Sequence, residues 1–155
     1  MDSLLKLVTL SAREKWLLAQ SLLLLPVNLF ALHLMSFNRW QAILCRLAPI
    51  DRAGAEPVNE SMVHRVNQTI RMVRVAASRG PLRGNCLQKS LALWWLLRRQ
   101  NIDSEIRFGA RRDNGNFEAH AWVEFRGVAL NEEPAVQQSF TPFVRGTAAA
   151  EAKIR

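Results

Sequence analysis

Apolar and polar residues along the chain change period from element to element, and the changes mark where helices give way to strands. Ser11-Ala-Arg-Glu14 has the spacing of a capping box and leads into a nearly continuous apolar stretch from Trp16 to Met35. This predicts a long helix, kinked or broken at Pro26. A second short helix, Arg39 to Leu47, should end at Pro49. Residues 51–58 are small, charged and proline-containing and read as a linker. Beyond them Met62, Val63, Val66, Ile70 and Val73 recur at helical spacing until Gly80-Pro81. Asn85 is then a good N-cap for a helix reaching about Arg99, and its apolar residues, among them Leu87, Leu91, Leu93, Trp94 and Leu97, cover most of the circumference. A helix apolar nearly all round is expected at the centre of a fold. After Asn101 the period drops to two: Ile106, Phe108 and Ala110, a turn at Asp113-Asn-Gly115, then Ala119, Ala121, Val123 and Phe125. Arg126-Gly127 turns the chain once more into Val128-Ala-Leu130.

These elements predict an α+β protein in which a buried helix packs on a small antiparallel sheet. The expected organisation is an apolar helical extension over residues 1–50, a linker over 51–58, one domain over 59–145 and a flexible tail over 146–155. A chain of 155 residues suits one such domain, and 49% hydrophobic against 22% charged residues rules out disorder over most of its length. The opening MDSLLKLVTLSAREKW mixes acid and base where a secretory signal carries base followed by an apolar run, so a cytoplasmic location is expected, with Cys45 and Cys86 as free thiols. The stretch from Trp16 approaches the roughly 20 residues of a membrane span. Gln20, Asn28, His33 and Pro26 interrupt it and favour a helix packed on a core or a partner. Peripheral membrane contact or helix-mediated protein contact through residues 11–48 is the open alternative.

Charge adds a second feature. Residues 59–112 hold eleven Lys or Arg against Glu60, Asp103 and Glu105, which accounts for the whole net charge of +8. Such a stretch either forms a solvated helix face or attracts an acidic peptide or partner. No helix-turn-helix pattern, aromatic RNA platform or glycine-rich phosphate loop accompanies it, so no nucleic-acid or nucleotide partner is expected. Paired metal spacings such as CxxC or HExxH are also missing, and neither a metal nor another cofactor is expected.

Candidate chemistry converges on sulfur. Cys86 falls at the first turn of the buried helix, where unpaired backbone N–H groups favour negative charge on the thiol and can hold an oxyanion. His120 lies in the second strand of the hairpin, and alternation places it on the face of Trp122, opposite Ala119, Ala121 and Val123. A Cys at a helix start and a His in a following sheet are the two partners thiol catalysis needs. A third group must orient the imidazole, and Asn131, Glu132 and Glu133 all follow the next strand closely enough to reach. Glu124 shares the face of His120 and is a weaker candidate for the same role, expected to meet solvent instead.

Three segments resemble the transglutaminase-like cysteine peptidases of lasso peptide biosynthesis, in their stand-alone form. They are Asn85-Cys-Leu-Gln-Lys-Ser-Leu-Ala-Leu93, Leu97-Arg-Arg-Gln-Asn-Ile102 with Ile106-Arg-Phe-Gly109, and Phe117-Glu-Ala-His-Ala-Trp-Val-Glu124 with Gly127. The resemblance is close over residues 59–135, and the N-terminal apolar helices look like the family's extension. It implies a papain-like and transglutaminase-like core with Cys86 as nucleophile and His120 as base. The family's third member is usually an Asp about a dozen residues after the His, and Glu132 stands there. The activity implied is hydrolysis of the bond between leader and core of a precursor peptide. The implied partners are that precursor, a leader-recognition protein and a macrolactam synthetase that closes the ring afterwards.

Overall fold

The computed structural model describes residues 10–51, 57–80, 84–113, 116–131 and 139–142. Most of the expected linker, the turn residues Asn114 and Gly115, the acids Glu132 and Glu133, and the tail beyond Gly146 lie outside the described residues.

Four helices precede the sheet: α1 Ala12–Leu34, α2 Phe37–Leu47, α3 Glu60–Arg79 and α4 Cys86–Arg98. The strands are β1 Glu105–Asp113, β2 Asn116–Phe125, β3 Val128–Ala129 and β4 Thr141–Pro142, in the order β3-β2-β1-β4 with every pairing antiparallel. The α+β class and its helix-on-sheet arrangement are as expected.

Local chemistry starts the helices where the sequence reading placed the starts of α1 and α4. The Ser11 hydroxyl accepts from the Glu14 N–H, and the Glu14 carboxylate accepts in return from the Ser11 backbone N–H at 2.9 Å. Asn59 caps α3 by accepting from the Met62 N–H at 2.8 Å. Arg126 (φ +50°) and Gly127 (φ +79°) together form the two-residue left-handed turn that joins β2 to β3 with the right twist.

Of the kink or break expected at Pro26, the break is absent: α1 runs continuously through it. A proline removes one main-chain hydrogen bond, but Leu24 and Leu25 before it and Asn28 after it are all buried and hold both halves against the same neighbours.

A single core joins α1 to the rest. Leu17, Leu18, Leu24 and Leu25 of α1 share it with Val66, Met72 and Val73 of α3, Leu91, Leu93, Leu96 and Leu97 of α4, and Val123 of β2. Polar ties run through it as well. Asn28, fully buried, donates to the Gln88 carbonyl at 3.2 Å and accepts from the Trp40 indole at 2.9 Å. Glu14 is ion-paired with Arg71 of α3, and Arg13 donates to Gln100 at 2.7 Å. The apolar N-terminal helix is thus a wall of the same core that surrounds α4.

Candidate active site

α4 sets the position of sulfur. Cys86 is its first residue, half-buried, and Asn85 before it closes a reciprocal cap: its side chain accepts from the Gln88 N–H at 2.9 Å while the Gln88 side chain accepts from the Asn85 N–H at 3.0 Å. The cap satisfies donors on either side of Cys86 and fixes the first turn. α1 supports the same turn from behind. A Cβ on Gly84 would stand 3.0 Å from a Leu25 methyl, and Asn28 holds the carbonyl of Gln88. Cys45 lies on α2, and neither cysteine is in a disulfide.

β2 sets the position of the imidazole, and the two elements are bolted together next to it. Ser90, one turn beyond Cys86, donates to the carbonyl of Ala121 at 3.0 Å and accepts from the Asn131 amide at 3.1 Å. Asn131 in turn accepts from the Val123 N–H at 2.7 Å. Asn131 therefore works as a strut between α4 and β2. Register and alternation divide the sheet as anticipated: Ile106, Ala121 and Val123 face the helices, while Gly109, His120 and Trp122 share the other face. On that face the His120 ring stacks on Phe140 at 5.0 Å and on Trp122 at 6.3 Å, with its Nε2 shielded from solvent.

The structure thus brings the start of α4 to the strand that carries His120, with the ring on the strand's far face. A thiol–imidazole hydrogen bond is not among the contacts of the described residues. β3 pairs only with Glu124 and Phe125, so it does not cover the β2 edge at the level of His120.

The bed beneath the imidazole is built from side chains. Trp122 is fully buried and donates its indole N–H to Glu124 at 3.0 Å, and Glu124 also accepts from Arg107 at 3.0 Å. Glu124 was expected to meet solvent; instead it is the anchor of the tryptophan on which His120 rests, because Arg107, across the strand pair from Trp122, draws its carboxylate inward. Gly109, opposite His120, gives Trp122 its space, since a Cβ there would lie 2.9 Å from the indole and 3.0 Å from the Thr141 carbonyl. Sequence reasoning missed Ser90, whose signal was its spacing of four from Cys86. It also missed Phe140, which has no periodic neighbours to announce it.

A cleft of about 190 Å³ opens between α3 and α4, lined by Ile70, Val73, Arg74, Lys89, Leu93 and Asn131. Lys89 and Leu93 follow Cys86 at helical spacing and share its side of α4. The cleft has an apolar floor and a cationic rim of Arg74 and Lys89.

A capped helix opening on cysteine, packed on an antiparallel sheet that carries histidine, is matched by one family model. The model of the transglutaminase-like superfamily covers residues 29–145. The chain belongs to the transglutaminase-like superfamily. The match begins inside α1 and takes in both Cys86 and His120. No curated protein and no solved structure matches the chain. Transglutaminase-like domains are commonly cysteine peptidases or acyl transferases, and a thiol at a helix start suits both, since both pass through a thioester.

Proposed function

We propose that this transglutaminase-like chain is a cysteine peptidase that removes the leader from a ribosomally made lasso precursor before a partner synthetase closes the macrolactam. The observation that carries the reading is the placement of Cys86 as first residue of a capped, buried helix, tied through Ser90 to β2 one residue from His120. The resemblance of the three segments around Cys86, Ile102 and His120 to lasso leader peptidases supports this substrate class within the superfamily.

In the proposed mechanism the Cys86 sulfur attacks the carbonyl at the leader–core junction. A backbone N–H of the first turn of α4 holds the oxyanion, and His120 passes the thiol proton to the leaving amine of the core. The leader then remains as a thioester on Cys86, and water activated by the neutral imidazole hydrolyses it to a carboxylate and restores the thiol. Glu132, which lies outside the described residues, is assigned the orientation of the imidazole. Leader recognition falls to a separate protein.

The test is to incubate the chain with its precursor and recognition protein and to follow peptide mass. Loss of the leader with wild type and none with Cys86→Ala is expected. Cleavage by Cys86→Ala would refute the mechanism. Loss of ammonia from a glutamine side chain without shortening would establish acyl transfer instead. Binding without cleavage, unaffected by replacing both Cys86 and His120, would establish a non-catalytic scaffold.

A further inference from the structure

α1 has two apolar faces, and the core uses one. Leu17, Leu24 and Leu25 are at most 7% exposed, whereas Trp16 is 63%, Leu23 66%, Phe30 64% and Leu34 82% exposed. With Val27, these exposed residues recur at helical spacings of seven, four, three and four and form one outward stripe about 27 Å long. Lys15 and His33 border the stripe on one side and Arg13 and Gln20 on the other. α2 repeats the combination, with Arg39, Ile43, Arg46 and Leu47 all exposed at helical spacing.

The helix is long and apolar enough to cross a membrane by length and composition, with a mean hydropathy of 1.8. Its inner face forbids that. Core leucines, the Asn28 bond to Gln88 and the Glu14–Arg71 pair would all have to be torn from α3 and α4. Lying flat costs none of these contacts. Charge then selects what the stripe lies on. Between residues 12 and 51 the only acids are Glu14, buried and paired with Arg71, and Asp51. The flanks Arg13, Lys15, Arg39 and Arg46 are basic. Two copies joined through α1 would set these cations against one another in either orientation, with Asp51, past the end of α2, as the one exposed acid between residues 12 and 51. An anionic surface meets them favourably, and tryptophan and phenylalanine are side chains suited to the level of lipid headgroups.

We infer that α1 is an in-plane membrane helix: its outer stripe, Trp16 to Leu34, sinks into the headgroup region of an anionic lipid surface. The inner face meanwhile stays in the core and supports the turn of Cys86. The domain thereby sits on the membrane with α1 between lipid and the catalytic helix. This holds whatever reaction Cys86 performs.

Flotation of the full chain with vesicles rich in phosphatidylglycerol, and with vesicles of phosphatidylcholine alone, tests it. Binding to the first, falling as salt rises, is expected. Leu23→Gln with Phe30→Gln should lower the partition coefficient roughly tenfold or more, and Arg39→Gln with Arg46→Gln roughly fivefold per charge, with unchanged circular dichroism. The inference is overturned by equal, salt-insensitive binding to both vesicles, or by wild-type binding of the Leu23/Phe30 variant. It is equally overturned if vesicles are ignored and light scattering shows a dimer, or a complex with an acidic protein, that this variant dissolves.

Discussion

α4 and α1 are both apolar around most of their circumference, yet they stand in opposite situations. α4 is largely enclosed: Leu91, Leu93 and Leu97 have no exposed surface, and Gln88 and Ser90 are spent on the cap and the link to β2. α1 is enclosed on one side only, and its outward leucines and aromatics face away from the protein. The difference teaches that an all-round apolar helix states only that both faces avoid water, not that the same chain covers both. In α4 the demand is met within the fold. In α1 half of it is left for something else, which is why the two helices answer differently to the same substitution.

The sharpest break of that comparison is a leucine-to-alanine change on each. Leu97→Ala opens a cavity where nothing can collapse, and a loss of about 3 kcal/mol is expected by denaturant unfolding. Leu23→Ala on the outer stripe should change stability by less than about 0.5 kcal/mol. Equal losses would mean that α1 is covered on both sides in solution. The inner face of α1 gives the next largest effect. Asn28→Ala takes a second donor from the Gln88 carbonyl and leaves the Trp40 indole N–H without its acceptor, for a loss of about 2 kcal/mol in the same measurement.

The two helices also differ in how far they were legible. Both helix starts were readable at Ser11 and Asn85, because a capping box is a local arrangement of four residues. The hairpin register and the face shared by His120 and Trp122 were readable from strict alternation. What failed was whatever tertiary contact decides. Pro26 reads as a kink or a break, and the break is excluded only once Leu24, Leu25 and Asn28 are seen holding both sides of it. Glu124 reads as solvated until Arg107 and Trp122 claim its carboxylate. Phe140 was illegible for another reason: β4 spans only Thr141–Pro142, too short to carry a period. At the site, Cys86 and His120 announced themselves by residue type and position, whereas the tie that brings their elements together, Ser90 to the Ala121 carbonyl, is an ordinary serine in any sequence reading.

That tie supplies the third prediction. Ser90→Ala removes the bond to Ala121 and leaves the Asn131 amide without this acceptor, so stability should fall by about 1 kcal/mol. The larger consequence is positional. A small shift of α4 against β2 moves the thiol relative to the imidazole, and the proposed leader cleavage should slow by roughly 10- to 100-fold, read in kcat rather than KM. Ser90→Thr, which can keep the hydroxyl bond, should recover part of the rate. A variant slowed only in proportion to its unfolded fraction would show that Ser90 holds the fold and not the geometry.

The smallest effect belongs to the fastening of α1 at its first turn. The Ser11 backbone N–H holds the Glu14 carboxyl below its ordinary value; burial works the other way, and the Ser11 hydroxyl, Arg71 and His64 add to the lowering. Because the folded value is depressed, the stabilisation is fully present above the unfolded carboxyl value of about 4.3 and disappears as pH falls through the lower folded value. Wild type should therefore lose stability on acidification in this window more steeply than Glu14→Gln, which carries no titrating group there. The curves should converge at the acid end, where both side chains are neutral, and separate above about pH 5. Parallel curves would show that the carboxylate is not held by the turn, and that the inner leucines alone keep α1 against α3 and α4.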